Sequence, residues 1–359
     1  MALAAGSEFV PKWIAWETTR KCNLDCVHCR CSSDASGPVG AFTTERAFAF
    51  VDEVAAWVKP VVVLSGGEPL TRPDLFDIAR HGTEAGLRMC LATNGLLVTD
   101  ETCVRMKDTG IRMVSLSIDG PNAEVHDDFR RVAGAFEGVV RAARLLRAHG
   151  VPFLVNSSFT RRNAPHMGAT FRLAKELGAK AWYMFMIVPT GRGEDVMGEL
   201  IRQPEYDEIL RWHYEQERSE DDILMRPTCA PHYYRIVRQM AKADGSGFRR
   251  RDLSFSTGAG KGCVAGQTIC LVDAFGEVHP CSYMETSAGN VFERPFREIW
   301  EDSPLMKSLR DFDAYKGRCG ACEFRNTCGG CRARALAFTG DVLGEEPLCD
   351  HVPHRKRGG

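Results

Sequence analysis

The chain has 359 residues, with 46 Lys+Arg against 47 Asp+Glu and a formal net charge of −1. That balance supplies no overall attraction for nucleic acid or an anionic membrane surface. At 44% hydrophobic and 26% charged residues the chain reads as an ordinary globular protein, not a disordered one. No apolar run approaches the ~20 residues that span a bilayer. The opening MALAAGSEFVPK has no basic segment followed by a long apolar stretch, so a cytoplasmic location is expected. Gly6–Phe9 reads as a cloning scar and is left out of the functional reading. Fifteen cysteines without an export signal point to metal ligation instead of disulfides.

After a short N-terminal extension, 1–12, strand-like runs occur at Trp13–Glu17, Val61–Leu64, Met89–Ala92, Met113–Ile118, Phe153–Ser157 and Trp182–Ile187. Amphipathic helical stretches lie between them at Thr44–Val58, Pro73–Glu84, Asp100–Asp108, Phe136–His149 and Ala164–Leu177. Six alternations predict an α/β fold over 13–190, a parallel sheet with helices outside, curled into a full or partial barrel. The rhythm breaks at Pro189–Gly193. A bridging region, 191–227, holds one predicted helix at Pro204–Arg218. The remainder, 228–359, is irregular and rich in glycine and cysteine, as expected of a domain folded partly around metal. Its basic tail, Arg355–Gly359, reads as a frayed end.

Directly after the first strand, Cys22, Cys26 and Cys29 form C-x3-C-x2-C. Three close thiolates suit three irons of a [4Fe–4S] cube, leaving one iron free to bind a substrate or cofactor. The alternative is a zinc knuckle using Cys22, Cys26, Cys29 and either His28 or Cys31. Cys90 and Cys103 read as buried small hydrophobes.

This loop resembles that of the radical S-adenosylmethionine (SAM) superfamily, with His28 at a position that is usually aromatic. Further pieces follow in order after successive strands. Ser65-Gly66-Gly67-Glu68-Pro69 matches the family's GGEP-type loop, and Thr93-Asn94-Gly95 its TNG turn. Ser115, Ser117 and Asp119 share one face by period-2 alternation, and Asn156 lies on the next strand. The resemblance implies a partial (β/α)6 barrel holding a [4Fe–4S] cluster on three cysteines. It also implies SAM contacts from His28, Gly66, Gly67, Glu68, Thr93, Asn94, Ser115, Ser117, Asp119 and Asn156, with Glu68 as acceptor for the methionine ammonium. A 5′-deoxyadenosyl radical is then the expected initiator.

The C-terminal cysteines resemble the SPASM pattern of auxiliary Fe–S domains. Cys263 and Cys281 stand in C-x12-G-x4-C, with Gly276 as the glycine, and Cys319, Cys322, Cys328, Cys331 and Cys349 follow. The departure is Cys328-x2-Cys331, where the family has three intervening residues. The resemblance implies one or two auxiliary [4Fe–4S] clusters. One would take Cys319, Cys322, Cys328 and Cys349. The other would take Cys263, Cys281 and Cys331, with Cys270 the expected fourth ligand, and Cys229 or an open iron as alternatives.

Over nearly the whole chain the sequence is similar to the radical SAM haem synthases of the siroheme-dependent pathway. The carrying segments are Ile14–Arg20, Cys26–Arg30, Arg226–Arg235 and Gly329–Arg334. The resemblance implies oxidative decarboxylation of two propionates of iron-coproporphyrin III to vinyl groups, giving haem b. It also implies an electron donor such as flavodoxin or ferredoxin, with no nucleic-acid or membrane partner. Arg30, Arg192, Arg226 and Arg235 are candidate carboxylate forks. Tyr183, Phe185, Tyr233 and Tyr234 are candidate ring walls, His232 a candidate iron ligand, and Cys229 stands close by in sequence. The competing readings are a SPASM maturase acting on a ribosomally made peptide, or another enzyme modifying tetrapyrrole side chains.

Overall fold

The computed structural model describes residues 9–245 and 260–354. The proposed scar residues Gly6–Glu8 and the basic tail Arg355–Gly359 lie outside the described residues, as does most of the N-terminal extension. Among the described residues nine strands form one sheet: β1 (Trp13–Thr19), β2 (Val61–Gly66), β3 (Arg88–Thr93), β4 (Val114–Ser117), β5 (Phe153–Phe159), β6 (Ala181–Met186), β7 (Leu224–Thr228), β8 (Ile269–Val272) and β9 (Val278–His279). Their order is β7-β6-β5-β4-β3-β2-β1-β8-β9, so the sheet is open, with β7 and β9 at its edges. All neighbouring pairs are parallel except β8–β9.

The α/β fold is thus as expected, but the sheet reaches beyond 13–190. The bridging region supplies β7, which pairs with β6, and the cysteine-rich region supplies β8, which pairs with β1.

Helices α1 (Thr44–Trp57), α2 (Leu75–Glu84), α3 (Asp100–Asp108), α4 (Ala123–Arg130), α5 (Ala135–Ala148) and α6 (Met167–Leu177) connect the strands. They are followed by α7 (Glu205–Ser219) and α8 (His232–Asp244), and then by the short α9 (Phe296–Asp302), α10 (Pro304–Arg310), α11 (Gly317–Ala321) and α12 (Arg332–Thr339). Helix α3 starts where the sequence predicts because Thr99 and Thr102 cap each other. Thr102 N–H donates to Thr99 Oγ1 (3.2 Å) and Thr99 N–H to Thr102 Oγ1 (2.8 Å).

Strand alternation separates two faces. Ile14, Trp16, Val62 and Leu64 pack under the helices in the main core. Trp13, Ala15, Val61 and Val63 point the other way, into a central cavity. Both faces being covered explains the near-continuous apolar strands. Among the described residues no helix is long and apolar enough to cross a membrane.

Candidate active site

The ends of the parallel strands, where backbone groups and loops converge, open onto a cavity of about 470 Å³. Cys22, Cys26 and Cys29 border it on the loop after β1. Each sulfur already accepts a hydrogen bond. Leu24 N–H reaches Cys22 Sγ (3.4 Å), Arg130 Nη1 reaches Cys26 Sγ (3.5 Å), and Ser33 N–H reaches Cys29 Sγ (3.4 Å). The Cys29 thiol is brought down to about 6, first by its hydrogen bond with Cys31 (3.8 Å). Burial pushes the Cys22 thiol up to about 12. Donors converging on three thiols at a cavity edge fit an iron–sulfur cluster.

Of the expected SAM contacts, His28, Gly66, Gly67, Thr93, Asn94, Ser115, Ser117 and Asn156 line this cavity. His28 stacks on Phe129, with centroids 4.5 Å apart, and burial together with Arg130 keeps it neutral. His28 Nδ1 and Asn156 Oδ1 are buried polar atoms with no partner in the protein, which fits a polar ligand between them.

Two expectations are corrected. Glu68 is fully buried outside the cavity lining. Its carboxylate accepts from Thr93 Oγ1 (2.8 Å), Asn94 N–H (2.8 Å) and Leu70 N–H (3.1 Å), so it ties the GGEP loop to the TNG turn. Asp119 is also fully buried and lies behind the lining, its Oδ2 3.9 Å from Nε2 of the cavity-lining His28. Strand β4 ends at Ser117, so the alternation that would have aligned Asp119 with Ser115 and Ser117 stops short of it. Asp119 instead accepts from Ser158 N–H (2.7 Å) and pairs with Arg130, the donor to Cys26. Arg130 itself went unnoticed in the sequence, because nothing in its spacing distinguishes it from a surface helix residue.

Elsewhere in the same lining, Cys229, Cys263, Cys281 and Cys331 pack together. Cys229 sits at φ +54, a strained left-handed conformation. Its carbonyl is held there by Arg334 Nη2 (2.8 Å) and Tyr206 OH (3.3 Å). Cys270 is not with them, which corrects its expected place as fourth ligand. It pairs with Ile14 across β8–β1 and therefore faces the helix side of the sheet, while its neighbour Ile269 lines the cavity.

The third thiol set, Cys319, Cys322, Cys328 and Cys349, surrounds a separate small recess. Glu346 N–H (3.3 Å) and Arg332 Nη2 (3.4 Å) donate to Cys319 Sγ, and Phe324 N–H (3.4 Å) donates to Cys322 Sγ. A Cβ on Gly330 would meet Cys319 Sγ at 3.0 Å and Arg332 Nη2 at 2.5 Å, so the backbone lies tight against the sulfurs. This set too has the donor chemistry of a cluster site.

The expected substrate residues divide. Arg30, Arg226, Tyr183, Phe185, Tyr234 and Cys229 line the cavity, with Arg30 also paired to Glu17. The other four are corrected. Arg192 donates to the Cys26 carbonyl (3.0 Å) and the Ser33 carbonyl (2.8 Å), which clamps the cluster loop. Tyr233 is buried in the main core. His232 and Arg235 line the recess of the third thiol set. Arg235 is held there by Asp207 (2.8 Å).

Residues 16–160 match the radical SAM superfamily, and residues 263–329 match the SPASM iron–sulfur cluster-binding domain. The AdoMet-dependent heme synthase of Methanosarcina barkeri is 49% identical over 346 residues, 96% of this chain and 98% of that one. The AdoMet-dependent heme synthase of Oleidesulfovibrio alaskensis is 41% identical over 343 residues, 96% of this chain and 88% of that one. Among solved structures, Streptococcus suis SuiB bound to S-adenosylmethionine aligns with a TM-score of 0.72 at 15% identity, over 95% of this chain and 77% of that one. The last likeness establishes a shared fold and nothing more.

Proposed function

The chain belongs to the radical SAM superfamily, in the branch that carries a SPASM iron–sulfur domain, and from that premise we propose that it is a haem synthase. Its substrate in this reading is iron-coproporphyrin III, a tetrapyrrole with two propionates oxidatively decarboxylated to the vinyl groups of haem b. The observation that carries the reading is end-to-end relatedness to AdoMet-dependent heme synthases, at 49% and 41% identity.

Cys22, Cys26 and Cys29 would hold the SAM-side cluster. Cys229, Cys263, Cys281 and Cys331 would hold one auxiliary cluster, and Cys319, Cys322, Cys328 and Cys349 a second. When bound, SAM and its cluster supply a 5′-deoxyadenosyl radical, and the auxiliary clusters supply one-electron redox capacity. The protein's part is orientation and the exclusion of water. Ser115, Ser117 and Asn156 offer hydrogen-bonding groups to SAM, and neutral His28 presents a flat ring beside them. Arg30 and Arg226 are cationic partners for propionates, and Tyr183, Phe185 and Tyr234 flank a flat macrocycle. Each propionate gives up one hydrogen atom, carbon dioxide and one electron, so the protein must pass electrons on. A flavodoxin or ferredoxin is the proposed electron donor for starting the reaction.

The test is anaerobic incubation of the reconstituted protein with SAM, dithionite and iron-coproporphyrin III, followed by mass spectrometry. Loss of one and then two formic-acid equivalents, with 5′-deoxyadenosine formed in step, is the expected result. Formation of 5′-deoxyadenosine with the porphyrin untouched would reject the substrate and turn attention to a peptide.

A further inference from the structure

His232 opens α8, three residues beyond Cys229, and is fully buried. Neither ring nitrogen has a hydrogen-bond partner in the protein. The imidazole lies beside Tyr206, with centroids 4.9 Å apart, and borders the recess lined by Cys319, Cys322, Cys328 and Cys349. It does not border the large cavity where substrate would sit.

The polar neighbours of His232 are already engaged. Glu346 approaches only to 4.0 Å, and its carboxylate accepts from Arg334 Nε (2.8 Å) and Cys331 N–H (2.8 Å). Arg235 is engaged with Asp207 (2.8 Å) and Gln239 (2.9 Å). In either protonation state the imidazole carries at least one N–H donor. A buried donor left unpaired forfeits its hydration without compensation, so one that persists calls for a partner. The remaining direction is the recess, where the acceptors would be sulfurs.

We propose that His232 donates a hydrogen bond to the iron–sulfur cluster held by Cys319, Cys322, Cys328 and Cys349, and thereby raises its reduction potential. The inference rests on the reading that this thiol set holds a cluster. Reduction adds negative charge to a cluster, and a donor aimed at its sulfurs stabilises the reduced form. Beside it, Glu346 bonds to Cys331 N–H by its side chain and to Cys319 Sγ by its backbone, and so links the two auxiliary thiol sets. A potential tuned at the outer set would bias electrons to move outward from the cavity. His232 is a positioning and tuning residue, not a catalytic one.

The test compares the wild-type protein with His232→Phe, His232→Gln and Cys322→Ala, all reconstituted anaerobically. Iron and sulfide per chain are measured, and an EPR-monitored redox titration follows the signal that Cys322→Ala abolishes. His232→Phe should keep its iron yet show an about tenfold lower reduced-to-oxidised ratio at a fixed potential, about 59 mV for one electron. His232→Gln, which restores an N–H donor, should recover most of that shift. Labelling histidine with nitrogen-15 should reveal a histidine-nitrogen coupling in the wild-type signal that His232→Gln lacks. Equal midpoints in wild type and His232→Phe at equal iron would overturn the proposal. So would loss of iron in both His232 variants, which would make His232 a ligand or a packing residue. If Cys322→Ala changes neither iron nor spectrum, it is the cluster reading of this recess that fails, and the inference falls with it.

Discussion

Arg130 joins two halves of the SAM-side wall, pairing with buried Asp119 on one side and donating to Cys26 Sγ on the other. A charged residue so placed acts on its neighbours through space, and His126 records the effect. It is buried and accepts a hydrogen bond at Nδ1 from Asp119 N–H (3.1 Å). Burial, and then Arg130, bring its pKa from 6.5 down to about 3. Between those values the unfolded chain holds a proton on this residue that the folded chain does not, so stability rises with pH. The contribution is complete above pH 6.5 and is lost as pH falls toward 3. In His126→Asn the side-chain oxygen can accept where Nδ1 did, without titrating. From pH 6.5 to pH 5 the wild type should therefore lose roughly 2 kcal/mol relative to the variant. Anaerobic urea melts at the two pH values measure the difference. An unchanged gap between the proteins would mean that His126 is free to take its proton in the folded state.

Two strands outside the six expected ones decide which cysteines meet. Strand β7 ends at Thr228 and delivers Cys229 in a left-handed corner at the cavity, whereas β8 turns Cys270 to the opposite face of the sheet. Cys229→Ala is expected to lower the iron bound per chain and to remove or alter one auxiliary EPR signal. Cys270→Ala should leave iron and spectrum intact and cost only about 1 kcal/mol of packing. Iron lost from Cys270→Ala and kept by Cys229→Ala would restore Cys270 to the ligand set. The sequence spoke clearly where a strand runs straight into a motif, as with Val61–Leu64 before Gly66-Gly67 or Met89–Ala92 before Thr93-Asn94. It misleads where nearness along the chain is not nearness in space. Cys270 lies between Cys263 and Cys281, yet strand alternation removes it, while Cys229 arrives from across the sheet. Asp119 failed for a related reason, since period 2 holds only while the strand lasts. Glu68 failed because a buried acceptor serving three loop donors leaves no mark in the sequence that separates it from a ligand contact.

At the scale of the whole chain, the cysteine-rich region and the barrel share one sheet and one core. Strand β8 pairs with β1, Arg20 meets Asp273 at 3.1 Å, and Arg334 Nη1 donates to the Ile187 carbonyl (3.2 Å). On the helix side, Phe296 of α9 is fully buried against α1, its ring centroid 5.8 Å from Phe50 and 6.1 Å from Trp57. Shared burial of this kind couples the two regions, so unfolding one exposes the core of the other. Phe296→Ala leaves a cavity in that seam and should cost about 3–5 kcal/mol. Because the seam belongs to both regions, the loss should appear as one lowered transition. In anaerobic thermal melts the visible cluster absorbance and the far-UV circular dichroism should fall together, in the wild type and in the variant alike. If the absorbance fell at a lower temperature while the helical signal of the barrel persisted, the cysteine-rich region would be a separate folding unit. The pairing of β8 with β1 would then be too weak to hold the auxiliary thiols against the cavity.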